Sequence, residues 1–160
     1  MFSNAGAHIQ SLLKSPVFLA CVFSWVSAQF VKTAIKILTG KVRSIRELLE
    51  FLFWRTGSMP SSHSAVTACI CTCIGFSSGV ASDLFILTFV FYVVTIRDAV
   101  GVRLASGIQA KRLNEMGEIL RQKGIYEDFR KLKEVNGHTP LEVFIGSVLG
   151  FFMGVAFSVL

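Results

Sequence analysis

Two histidines in this chain sit in closely similar surroundings. His63 lies in Gly57-Ser58-Met59-Pro60-Ser61-Ser62-His63-Ser64-Ala65, and His138 in Gly137-His138-Thr139-Pro140-Leu141-Glu142-Val143. An apolar run follows each string at once. Imidazole is the side chain best matched to proton transfer and nucleophilic attack near neutral pH. Each string also reads as a helix start, with small hydroxyl residues for an N-cap and a proline suited to the first turn. Thr139-x-x-Glu142 has the spacing of a capping box. A helix start offers unpaired N–H groups and about half a positive charge, which favours a compact anion. Lys32, Arg55 and Arg103 bring further positive charge, and phosphate is the anion that suits such a set. Two histidines beside a phosphate suggest phosphoryl transfer, one attacking phosphorus and the other protonating the leaving oxygen.

These residues meet only if the apolar runs bring them to one face. The 160-residue chain is 52% hydrophobic and 16% charged, with a net charge of +6, and its mean hydropathy is +0.61. That balance belongs to a membrane protein rather than to an ordinary soluble domain. Its basic residues lie between apolar runs instead of forming one stripe, which argues against a nucleic-acid partner. Runs at approximately 17–38, 62–80, 84–105 and 140–160 stand out, and a helix crosses the hydrocarbon layer with about 17–20 residues. The expected fold is all-α: one membrane-embedded domain over 1–160, a multi-pass bundle of about four spans. Links 39–61 and 106–139 carry most of the basic residues, whereas the turn around Gly75 to Asp83 has none. The positive-inside rule therefore places both links in the cytoplasm, at the inner membrane if the protein is bacterial. Residues 107–134 alternate charged and apolar types, as at Leu113, Met116, Ile119 and Leu120. That pattern predicts an amphipathic helix on the membrane or the bundle, broken at Gly124.

On this topology His63, His138 with Glu142, Asp98 with Arg103, and Gln29 with Lys32 all reach the cytoplasmic face. Each has a plain structural explanation when taken singly. Ser61, Ser62 and Ser64 serve as caps, Glu142 as a cap partner, Lys32 as a snorkelling residue, and Asp98 as the mate of an arginine. Their concentration on one face is what points to a site, because ionisable groups at such depth are rare. Cys69, Cys71 and Cys73 form no disulfide framework and read, with Cys21, as buried reduced thiols. Gly146, Gly150 and Gly154 read as close helix packing.

Met59-Pro60-Ser61-Ser62-His63-Ser64-Ala65, Asp98-Ala99-Val100-Gly101-Val102-Arg103 and the Gly137–Val143 string together resemble the divergent branch of the type 2 phosphatidic acid phosphatase superfamily. That superfamily is related to acid phosphatases and vanadium-dependent haloperoxidases. The likeness runs from Gln29-x-x-Lys32 through Gln109 and Leu113-Asn114 to the last glycine-rich run. It implies His138 as nucleophile, Glu142 as its orienting carboxylate and His63 as the acid that protonates the leaving group. Lys32, Arg55, Ser61, Ser62 and Arg103, or the basic Arg130–Lys133 stretch, would hold the phosphate, with Gln29, Asp98 and Gln109 in support. Some positions depart from the superfamily. Ser62 replaces a glycine, Leu132 stands where an arginine is usual, and Thr39 stands seven after Lys32 where an Arg-Pro pair is usual.

The function implied is hydrolysis of a lipid phosphomonoester or diphosphate through a phosphohistidine at a cytoplasm-facing site, with no cofactor or metal. Membrane lipids and a phosphorylated amphiphilic substrate are the expected partners, nucleic acid is not, and a homo-oligomer is left open. The departures favour an alternative, a catalytically inactive binder of phosphate or anionic lipid. A metal-dependent hydrolase built on His63, His138, Asp98 and Glu142 is a further reading, without tight ligand spacing in its favour.

Overall fold

The computed structural model describes residues 5–40, 59–134 and 137–160. Among them are α1 (Ala5–Lys14), α2 (Pro16–Leu38), α3 (Ser62–Ser78), α4 (Asp83–Arg97), α5 (Arg103–Gln122) and α6 (Pro140–Val159). A π-helical segment, Asp98–Val102, joins α4 to α5. The protein is thus an all-helical membrane protein. Pro16–Leu38, the continuous Asp83–Gln122 run and Pro140–Val159 are long and apolar enough to cross a bilayer. Helix α3, counted as a span at the sequence level, has 17 residues, about 26 Å of helix against about 30 Å of hydrocarbon.

Local chemistry sets most of the boundaries. Ser15 caps α2, with Pro16 opening its first turn; Ser61 caps α3; Ser82 caps α4. Thr139 caps α6, Pro140 stands in its first turn, and both halves of the Thr139–Glu142 capping box are formed. Pro60 departs from expectation: it precedes the Ser61 cap instead of entering the first turn of α3. Gly124 ends α5 as expected, at φ +68 just beyond Gln122. The helix runs on past residue 105, where the third apolar run ends. Neither Gly101 nor Gly107 adopts a positive φ, and good helix formers such as Leu104, Ala105, Gln109 and Ala110 carry the helix onward.

Helix α3 is the hub, packed against α2, α4 and α6. Its small residues make this close approach feasible. Ser64, Ala65 and Cys69 are wholly buried, and Cys69 and Cys73 form a core with Ala20 of α2, flanked by Val17, Met153 and Phe157. All four cysteines are free thiols. The glycine stripe of α6 lies on the α3 backbone. A Cβ at Gly146 would strike the main chain of Ser61, one at Gly150 that of Ala65, and one at Gly154 Thr72 and the Cys69 carbonyl. Because these obstacles are largely backbone, Gly150→Ala is expected to lower stability by about 1–3 kcal/mol, measured as a lower Tm in detergent. An unchanged Tm would show that α3 and α6 can separate without penalty. By contrast no residue of α4 is buried; Leu87, Phe91 and Val94 face outward, as suits lipid contact.

A return segment completes the fold. After Gln122 the chain runs back along α5: Phe129 covers Gly117, and Leu132 meets Asn114. The Asn114 amide donates to the Leu132 carbonyl at 3.0 Å and to Glu134 Oε1 at 3.0 Å, while its Oδ1 accepts from Leu132 N at 2.8 Å. Gly137 then abuts the backbone of Arg103 and Leu104, too closely for any side chain.

Candidate functional site

Alternating helix directions place the C-terminal parts of α2 and α4 at the same end as the starts of α3 and α6. Lys32, on α2, is 3% exposed and donates from Nζ to Ser62 Oγ at 3.1 Å. It therefore does not snorkel to the surface. A buried ammonium group loses its water, and one hydroxyl acceptor offsets only part of that loss. Ser61 is fully buried, its N–H donating to the Glu142 carbonyl at 3.0 Å and its Oγ accepting from Ser64 Oγ at 3.0 Å. The two helix starts, 81 residues apart in the chain, are thus stitched together at their first turns.

His138 lies just ahead of α6 and is 5% exposed. Its ring Nδ1 stands 3.2 Å from Glu142 Oε2, and the same oxygen accepts from Thr139 N at 2.9 Å. A carboxylate at Nδ1 selects the tautomer with the proton there, leaving Nε2 with a free electron pair. Burial holds this imidazole below its ordinary value of 6.5; Glu142 pulls it partly back, and the positive charges of Lys32 and Arg103 add to the lowering. The neutral form therefore prevails at neutral pH.

The His138 main chain is held from outside α6. Its N–H donates to the Ala99 carbonyl at 3.1 Å. In the π segment Arg103 N donates to Asp98 O, five residues back, instead of to Ala99 O, four back as in an α-helix. The irregular turn thus offers a docking point for the histidine. Around the same segment Arg103 Nε is ion-paired with the Asp98 carboxylate, both side chains being part-exposed. Such a pair is worth under about 1 kcal/mol in water, so an anion can compete for Arg103.

His63 points outward from the first turn of α3 and is exposed. Arg103, Lys32, His138 and Asp98 all lie close enough to act on its ring electrostatically. The two imidazoles, Lys32, Ser62, Asp98, Arg103 and Glu142 consequently form one cluster. Gln29 sits one turn before Lys32, buried, with Oε1 lacking a partner among the described residues. Gln109 is exposed on α5, six residues and about 9 Å of helix beyond Arg103, and no described contact ties it to the cluster. Arg130–Lys133 are exposed on the return segment. Arg55 falls outside the described residues. No group of three or more His, Cys, Asp or Glu side chains among the described residues is arranged as a metal-ligand set.

Sequence reasoning missed the contributions of Ala99 and Gly137. A carbonyl acceptor and a missing Cβ leave no chemical signature in a string of letters. Asn114 was noticed only as part of the resemblance, without its role as the clamp on the return segment.

Fold and cluster together define a multi-pass helical membrane protein with a polar, cationic group of residues where its helix ends meet. The chain belongs to the Divergent PAP2 family, whose model matches residues 13–153. It is 34% identical over 152 residues to "Uncharacterized membrane protein YuiD" of Bacillus subtilis (strain 168), covering 89% of this chain and 93% of that protein. No solved structure matches it.

Proposed function

We propose that the protein is a membrane phosphatase acting on a lipid phosphomonoester or diphosphate at the cytoplasmic face. The observation that carries this reading is the pairing of the buried His138 ring with the part-exposed Glu142 carboxylate, Nδ1 standing 3.2 Å from Oε2, in one cluster with the Lys32–Ser62 contact and His63. His138 Nε2 attacks phosphorus, the bond from phosphorus to the leaving oxygen breaks, and His63 delivers its proton to that oxygen. Water then attacks the phosphohistidine, gives its proton to the now neutral His63, and releases phosphate with His138 restored. Lys32, Ser62, the helix starts and Arg103, freed from Asp98, hold the phosphoryl oxygens; Ser61 supports the turn beneath them. Arg55 belongs to the same proposal through the sequence alone. A lipid is favoured over a soluble ester because the cluster ends a membrane bundle. The cytoplasmic placement follows from the basic links.

His63→Ala tests the acid role selectively. Turnover of an alkyl phosphomonoester is expected to fall by about 10²–10⁴-fold, the usual worth of a general acid. p-Nitrophenyl phosphate, whose leaving group departs without protonation, is expected to be much less affected. Equal losses on both substrates would remove His63 from the acid role.

A second reading, an inactive binder of phosphate or anionic lipid, draws on Leu132. The position where the superfamily has an arginine carries an apolar side chain, 47% exposed, on a segment clamped by Asn114. That reading predicts lipid-phosphate binding by wild type with no phosphate release.

A further inference from the structure

A deep apolar recess lies not at the polar cluster but below it. A cleft of about 600 Å³ lies between α3, α4 and α6. Ala68, Thr72 and Ser147 line it, with Tyr92, Phe89 and Phe85 on α4. The two helices that bear Ser62 and Glu142 are also two of its walls. Ala68 is six residues beyond Ser62 and Ser147 five beyond Glu142, about 9 and 7.5 Å along their helices. From Ala68 to Phe76 the cleft follows α3 for about 12 Å, and Val80 extends it toward the far end. There Phe85 closes over Gly75, where an added Cβ would lie 3.1 Å from its ring. Phe76 and Phe151 on its rim are more than half, or half, exposed, so the cleft opens sideways to the surface that lipid would cover.

We propose that this cleft holds one hydrocarbon tail of the amphiphile whose phosphate rests against Lys32, Ser62 and His138. The assignment rests on the phosphate-site reading above and adds to it the position of the tail. Polarity supports this occupant: charge and hydroxyls stand at the cluster end, and Phe76, Val80, Phe85 and Phe89 follow below. A lipid with its headgroup at that face has the same gradient and direction. A helix from a second copy is the competing occupant, and the test below separates it from a lipid tail. Moving a tail from bilayer to cleft gains little hydrophobic free energy, since both are apolar. The cleft therefore orients the substrate and selects its tail more than it tightens binding.

The test uses the full chain in phosphatidylcholine nanodiscs with phosphatidic acid carrying a diazirine midway along one acyl chain. Photolabelling is expected on Thr72, Phe76 and Phe89 in preference to the outward-facing Leu87, Phe91 and Val94, with inorganic phosphate in excess reducing it. The same diazirine chain on phosphatidylcholine should show no such preference. Ser147→Trp is expected to reduce cleft labelling by about tenfold through overfilling, while p-nitrophenyl phosphate is still hydrolysed at the wild-type rate. Thr72→Phe provides the same block if Ser147→Trp fails to fold.

Equal labelling by the two lipids, or labelling spread over the outer face of α4, would overturn the tail site. So would a photocrosslink from a benzoylphenylalanine at position 89 to a second copy, which would assign the cleft to a dimer contact. Hydrolysis with labelling outside the cleft would sink the tail site alone. Cleft labelling without hydrolysis would support it and sink the phosphatase reading instead.

Discussion

His138→Ala is expected to lower turnover of a lipid phosphomonoester by about 10⁴-fold or more, as loss of an obligatory nucleophile does. The variant should fold, because the contact that docks this residue is main-chain: His138 N to the Ala99 carbonyl at 3.1 Å. Phosphorus NMR of base-quenched wild type should detect an N-linked phosphoryl group that the variant lacks. Turnover surviving in the alanine variant would eliminate the covalent route. The pH profile follows from the same residue. Burial holds the ring below its ordinary 6.5, and neutral imidazole is the reactive form. On the acid side, activity should therefore persist below pH 6.5 and fall as pH drops through the lower folded value of His138. On the alkaline side it should decline as His63, also held below 6.5 by burial and the nearby cations, loses the proton it donates. The His138 ring also contributes to stability. Between its folded and ordinary values the unfolded chain binds more protons than the folded one, so stability from this group declines as pH falls. An acid limb of kcat/KM centred above 6.5 would contradict this account.

Glu142→Gln should produce the second large effect, about 10²–10⁴-fold in kcat, without a matching loss of stability. Glutamine can still accept from Thr139 N and keep the capping box. It cannot provide the negative charge that orients Nδ1–H and stabilises the imidazolium side of proton transfer, and comparable losses of an orienting carboxylate reach about 10⁴. Glu142→Ala removes both functions, so its Tm should fall as well, by an amount corresponding to about 1 kcal/mol of lost capping. The discriminating result is kcat falling in Glu142→Gln while Tm stays within error. If both variants lose stability equally and kcat remains, Glu142 is a cap and nothing more.

Much of this arrangement was legible before any coordinates. Apolar runs preceded by Ser61 and by Thr139-Pro140 predict helices whose starts match those observed, because caps act within one turn. The pairing of His138 with Glu142 was implied by the family resemblance, and the ring stands 3.2 Å from the carboxylate. Gly124 as a helix stop and Gly146, Gly150 and Gly154 as a packing stripe were local inferences, confirmed by φ at the first and backbone proximity at the others.

Other features depended on distant partners. Lys32 carries the same letter whether it snorkels or is buried against Ser62, and only the approach of α2 to α3 decides for burial. The 98–102 string contains nothing that forces five-residue backbone bonds, so the 84–105 run was read straight through the join of α4 to α5. Taken by itself, the chain determined its helices, their capping and the presence of two histidines near cationic residues, because those properties reside in side-chain type and short spacing. Which groups touch was decided by the tertiary structure, through the small residues of α3, the bare backbone of the α6 glycines and the return segment that carries His138 to Ala99. Contacts of that kind depend on how closely whole elements approach, and no short stretch of residues contains that information.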